Sequence, residues 1–354
     1  MKRFLLSLII SVLATAYGAA AVGDRFVVEG LTYTVTSEDT GEVSVAKGEV
    51  ELPADLVITA KVTLNGQTYS VTSVAEHGFS YCGGLSSVTL PKSVTSIDSG
   101  AFQGCSSLTS INLPEGVTSI KKRTFFGCSG LTSIIIPEGI TSIGADAFYG
   151  CSGLTSIIIP EGVTALGSGV FADCSGLTSI TIPEGVTSIG ANGFSNCSGL
   201  TSITIPDGTT SIGMYCFSGC SGLKSITLSA SVTSIGVFAF DKCESLTDII
   251  VEIGNKHYCS ENGVLYNSDK TILKRCPEAK EECDILESVT SIDDYAFHSC
   301  ARLSTVTIPE SVTSIGNHAF TSCSSLTEII VEIGNKHYCS ENGVLYNSDK
   351  TILK

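Results

Sequence analysis

The sequence predicts a β-rich solenoid of ten 23-residue coils built from short strands and turns. Three observations carry this expectation. Cysteines stand at Cys82, Cys105, Cys128, Cys151, Cys174, Cys197, Cys220 and Cys243 with a constant 23-residue step, and after a longer gap the ruler resumes with the same step at Cys300 and Cys323. A phenylalanine lies three positions before each of these cysteines and a leucine three positions after it, from Phe79 and Leu85 to Phe320 and Leu326. Between them the segment Ile182-Pro-Glu-Gly-Val-Thr-Ser-Ile-Gly190 recurs with small changes along most of the chain. A period of this length with fixed apolar positions marks units that cannot bury a face alone and must stack.

One unit shows how the coil closes. Leu131, Ile134 and Ile136 are apolar, the last two with the period of two that a strand with one buried face requires. Pro137-Glu138-Gly139 turns the chain, proline presetting φ and glycine tolerating positive φ. Ile140 and Ile143 mark a second short extended segment, and Ala147-Phe148 with Cys151 closes the coil at a Ser-Gly corner. At about 4.8 Å per strand, ten coils stack to roughly 50 Å. Phe148, Phe171 and Phe194 then form a ladder beside Cys151, Cys174 and Cys197.

Other regions break the period. Met1-Lys2-Arg3, the apolar run Phe4–Leu13 and the small residues Ala19 and Ala21 read as an export signal over residues 1–21; a buried N-terminal helix is the alternative. Residues 22–72 alternate as β-strands and are expected to cap the first coil, an independent binding domain being the alternative. The solenoid then spans 73–248, an inserted hairpin unit and linker 249–288, and the solenoid again 289–328. In the insertion, Ser-Glu-Asn-Gly and Asn-Ser-Asp-Lys flank Val264-Leu265-Tyr266 and predict a hairpin. The segment 249–274 recurs unchanged at 329–354, where the sequence stops. We therefore expect an open, truncated last unit, from a fragment or a recombination between identical segments.

The pattern L-x-x-I-x-I-P-x-x-V-x-x-I-G-x-x-A-F-x-x-C, complete in Leu177–Pro183 with Val186, Ile189, Phe194 and Cys197, resembles the leucine-rich repeats of BspA-like surface proteins. Ser229 in place of proline, Thr209 in place of valine and Lys121-Lys122-Arg123 are modest departures. The resemblance implies a leucine-rich-repeat solenoid on an exported or cell-surface protein, hairpin-bearing units between repeats, and binding to host proteins or other cells.

Composition narrows the chemistry. With 43% apolar and 16% charged residues the chain is not disordered, and a net charge of −15 argues against nucleic acid. Beyond the export signal no stretch is long enough to cross a bilayer as a helix. The ladder cysteines read as small apolar fillers, stacked too far apart for disulfides. Cys276 and Cys283, outside the ladder, could pair, whereas the absence of C-x-x-C leaves no expected zinc site and no cofactor. His257 near Cys259 and its copy, His337 near Cys339, suggest a duplicated hairpin rather than a nucleophile–base pair; no catalytic residue is expected. Glu115, Glu138, Glu161, Glu184 and Asp207 occupy one turn position in five consecutive coils and are expected to form a solvated acidic stripe.

The outward strand face is mostly Thr and Ser. Ile135, Ile158, Ile250 and Ile330 are its apolar exceptions, with Ile135 and Ile158 on adjacent coils, and they are the candidate contact residues. The leading expectation is a protein-binding module whose partner is host extracellular matrix or another cell surface. The alternative is a structural spacer that displays another domain.

Overall fold

The structure, a computed structural model, describes residues 20–351. The export signal expected at residues 1–21 thus lies almost wholly outside the described residues. Among the described residues there is no helix; the chain winds as a β-solenoid of about eleven turns with about 23 residues per turn. Each turn contributes one rung to each of two parallel strand columns. In the first column Ser156, Ile157 and Ile158 pair with Ser179, Ile180 and Thr181. In the second, Ser188 and Ile189 pair with Ser211 and Ile212. Each pairing is offset by one repeat, so identical positions stack and the alternating apolar residues all face one core.

The spacing of three between Phe, Cys and Leu has a backbone cause. Cys151 N–H donates to Phe148 O at 3.1 Å, and Leu154 N–H donates to Cys151 O at 3.0 Å. Two successive tight turns therefore bend the chain while all three side chains point inward, each fully buried. The phenylalanine rings stack from Phe79 to Phe240 with centroids 5.4–6.0 Å apart.

The cysteines do more than fill space, which corrects the expectation of simple apolar fillers. Each thiol from Cys105 to Cys243 along the ladder donates to the carbonyl of a phenylalanine in the preceding coil, at 3.1–3.2 Å. Cys323 does the same to Phe297 O at 3.0 Å. A small side chain that is apolar enough for the core and still carries a donor suits this position.

At the N-terminal end, strands Arg25–Val28, Leu31–Ser37 and Glu42–Lys47 form an antiparallel sheet. Glu42–Lys47 lies parallel to Gln67–Val74, which opens the second column by pairing with Ser96–Ile97. Asp55–Val57 opens the first column against Ser87–Thr89. Phe26, Tyr33 and Tyr69 pack together beneath this sheet. The first coil therefore has its backbone edge paired rather than bare.

The inserted segment adds a turn to the ten that the cysteines mark. Asp248–Val251 continues the first column. Tyr258–Glu261 and Val264–Asn267 form the expected hairpin about Asn262-Gly263, both at positive φ as a tight two-residue turn requires. Ile272–Arg275 then pairs parallel with Ser291–Ile292, adding to the second column the rung of the inserted turn. Cys276 takes the phenylalanine position there: its N–H donates to Ala296 O as Phe125 N–H donates to Ala147 O.

With no ring at Cys276 the stack is broken between Phe240 and Phe297, and the apolar interior divides into two clusters at this turn. Cys300, lacking a phenylalanine carbonyl beneath it, reaches Cys276 O and Pro277 O only at 3.6 and 3.8 Å. Cys276 and Cys283, whose pairing the sequence leaves open, are both free and buried. The Cys276 thiol contacts those of Cys283 and Cys300.

Candidate functional site

The outward side of the first column is built by the same alternation that fills the core. With Ile157 and Ile159 buried, the residue between them must point to solvent. Ile135 and Ile158 do so, at 86% and 80% exposure, on consecutive coils. Ile135 is in register with Asn112 and Ile158 with Thr181, so the apolar pair is bordered by polar groups above and below.

Ile250 and Ile330 lie in the same column but do not join that pair. Ile250 stands four coils beyond Ile158, roughly 20 Å away. It and Ile330 are also half covered, at 45% and 39% exposure. The cause is the hairpin that follows each strand: Ile249 N–H donates to Gly263 O, Val251 N–H to Ser260 Oγ, and Ile329 N–H to Gly343 O. Asn255 fixes the hairpin to the preceding coil by donating to Ser229 O and Val232 O, and Asn335 repeats this against Pro309 O and Val312 O. Ile253 and Ile333 are wholly exposed at the turns beside these hairpins, and Val57 at 66% exposure heads the column. The sequence pattern had not singled out these three, although each is a large apolar residue beside a strand end.

The remaining face is held in place by its hydroxyls. Thr109 Oγ1 donates to Ser86 O at 3.0 Å and Thr247 Oγ1 to Lys224 O at 3.1 Å, each one coil back. Thr187 and Thr233 repeat the bond along the second column at 3.2 and 3.1 Å. These threonines thus satisfy carbonyls between coils as well as presenting a polar surface. Glu115, Glu138, Glu161, Glu184 and Asp207 are exposed in their turns, and none forms an ion pair among the described residues.

The hairpin cysteines are not set up as nucleophiles. Cys259 Sγ donates to Asn267 O at 3.1 Å and Cys339 Sγ to Asn347 O at 3.4 Å, while His257 and His337 are exposed. Burial pushes the Cys259 thiol up, whereas an activated thiol is held down by neighbouring positive charge. The ladder thiols are pushed further: burial takes Cys105, Cys174 and Cys220 up to about 12.

The BspA type leucine-rich-repeat region matches the chain in six copies, over residues 61–178, 164–270 and 269–349. The chain belongs to this family. It is similar to a leucine-rich cell surface protein of Faecalibacterium prausnitzii, with 30% identity, a TM-score of 0.63, and 88% of this chain and 76% of that one covered. A leucine-rich-repeat protein of Bacteroides ovatus is 29% identical with a TM-score of 0.59, covering 87% of this chain and 89% of its own. No curated protein is significantly similar. BspA-type membership supports a protein-interaction role and not a particular reaction. Among the described residues, no helix is long and apolar enough to cross a membrane.

Proposed function

We propose that this BspA-type protein is an exported adhesion module, holding a protein of the host extracellular matrix or of another cell surface against its first strand column. The observation that carries the reading is the Ile135–Ile158 pair, two large apolar side chains left almost bare on a rigid, repeated hydroxyl face. An extended solenoid face offers a partner many coils at once, and apolar residues ringed by polar ones resemble the core and rim of a protein interface. The exposed acidic turns keep the rest of the surface soluble. Export is supported by the sequence of residues 1–21 and by the surface location named for the F. prausnitzii neighbour.

The test is binding of residues 22–354 to immobilised basement-membrane proteins, followed by biolayer interferometry. Saturable binding at or below micromolar concentration is expected. Its absence would leave a spacer that displays another domain.

A further inference from the structure

The turn where the ladder breaks brings together three residues that the sequence keeps far apart. Asp241 lies on the last coil before the insertion, Glu278 in the linker and His298 on the first coil after it. One side-chain ligand atom from each lies within 4.8 Å of the other two. Glu278 and Asp241 are buried, at 3% and 7% exposure, and His298 is half-buried, leaving the cluster reachable from its imidazole side.

Charge is not balanced in this cluster. Glu278 Oε1 accepts from Arg275 Nη2 at 2.7 Å and from Lys242 N–H at 2.9 Å, which leaves its second oxygen for another partner. Arg275 also donates to Tyr295 O at 2.8 Å. The guanidinium therefore pairs with Glu278, and the group beside Asp241 is the imidazole of His298.

Asp241 supplies an independent sign. Its Oδ1 is shut off from solvent without a hydrogen-bond donor, although His298 Nδ1 stands 2.9 Å away. The two can pair only if Nδ1 carries a proton, and Nδ1 also has Ser299 Oγ beside it at 3.1 Å. An orphaned buried carboxylate oxygen is costly, and it demands an explanation. Two ligand atoms each about 2.0–2.1 Å from one ion, about 90–110° apart, lie about 2.9–3.4 Å from each other, a range that includes the observed separation.

We propose that Asp241, Glu278 and His298 bind one divalent transition-metal ion at the junction of the two core clusters. Two carboxylates and an imidazole suit a borderline ion such as zinc or cobalt(II), with water in the remaining positions. The ion supplies the positive charge that Arg275 alone does not. It ties three successive turns together where the phenylalanine stack is missing.

The experiment titrates the chelator-treated chain with cobalt(II), read by visible absorption and by calorimetry, and compares H298A, D241N and the control H257A, whose histidine is exposed in the hairpin. Circular dichroism and a thermal melt of each metal-free variant establish that it folds. The expected result is one ion per chain, a ligand-field spectrum without the thiolate-to-cobalt band, and a melting temperature raised by the metal. H298A and D241N should each weaken binding at least about tenfold, and H257A should leave it unchanged. A folded H298A that binds cobalt as well as the wild type overturns the proposal. So does a thiolate band, or no binding at 100 micromolar metal or below. If either single variant fails to fold, the spectrum and stoichiometry of the wild type decide alone.

Discussion

Phe171→Ala tests the architecture where it is most demanding. Phe171 is fully buried and its ring stacks on Phe148 and Phe194, both centroids 5.5 Å away. Removing a core phenylalanine costs about 3–5 kcal/mol, the cavity included. Two stacking contacts of about 0.5–1.5 kcal/mol each are lost with the ring, which places Phe171→Ala towards the upper end of that range. Phe320 gives the internal comparison, since it is only half-buried and, among the described residues, stacks on Phe297 alone. Phe320→Ala should cost about half as much. Urea unfolding followed by far-ultraviolet circular dichroism measures both. Because a solenoid is coupled only to its neighbours, Phe171→Ala should also broaden the transition as the two sides unfold separately. Equal costs for the two variants, or a Phe171→Ala cost below about 1 kcal/mol, would refute the idea that the ladder carries the core.

Other outcomes follow from the same geometry. Cys174→Ala should cost about 1–2 kcal/mol, from lost packing and an unmade bond to Phe148 O, and Cys300→Ala less because its thiol reaches carbonyls only at 3.6 and 3.8 Å; denaturant midpoints compare them. Thiols that ionise near pH 9 when unfolded and near 12 when folded make the unfolded state lose protons first, so stability should hold below pH 9 and fall as pH rises towards 12. The slope is at most about 1.4 kcal/mol per pH unit for each such thiol, visible as a falling melting temperature. A Cβ at Gly153 would lie 2.6 Å from Ser129 O of the coil beneath, so Gly153→Ala should cost about 1–3 kcal/mol, whereas Gly84→Ala, with open space around it, should be near neutral in the same melt.

Most of the fold can be read from the period alone, because in-register stacking turns each repeated residue into a repeated contact. The inward ladder of Phe148, Phe171 and Phe194 and the outward Ile135 and Ile158 follow from position within a unit. What escaped is what depends on contacts between units. The thiol of Cys151 bonds to the carbonyl of Phe125 in the coil beneath, and no spacing rule within one coil indicates that. Cys276 stands in for a phenylalanine only because the hairpin shifts the register before it. Ile250 looks equivalent to Ile135 in the sequence, yet its own hairpin covers it. Asp241, Glu278 and His298 carry no motif spacing, since each comes from a different turn of a solenoid whose period is interrupted between them.

The proposed binding face is tested most directly by the double variant I135T/I158T, assayed by biolayer interferometry against the same immobilised basement-membrane proteins. Threonine already occupies the equivalent outward position at Thr181, Thr204 and Thr227, so the fold should be unaffected and the melting temperature unchanged. Burying an isoleucine contributes about 1.5–3 kcal/mol, and threonine keeps roughly half of that apolar contact. The pair should therefore lose about 1.5–3 kcal/mol, which is roughly a 10- to 100-fold rise in Kd. A folded double variant that binds as tightly as the wild type would contradict the assignment of this face.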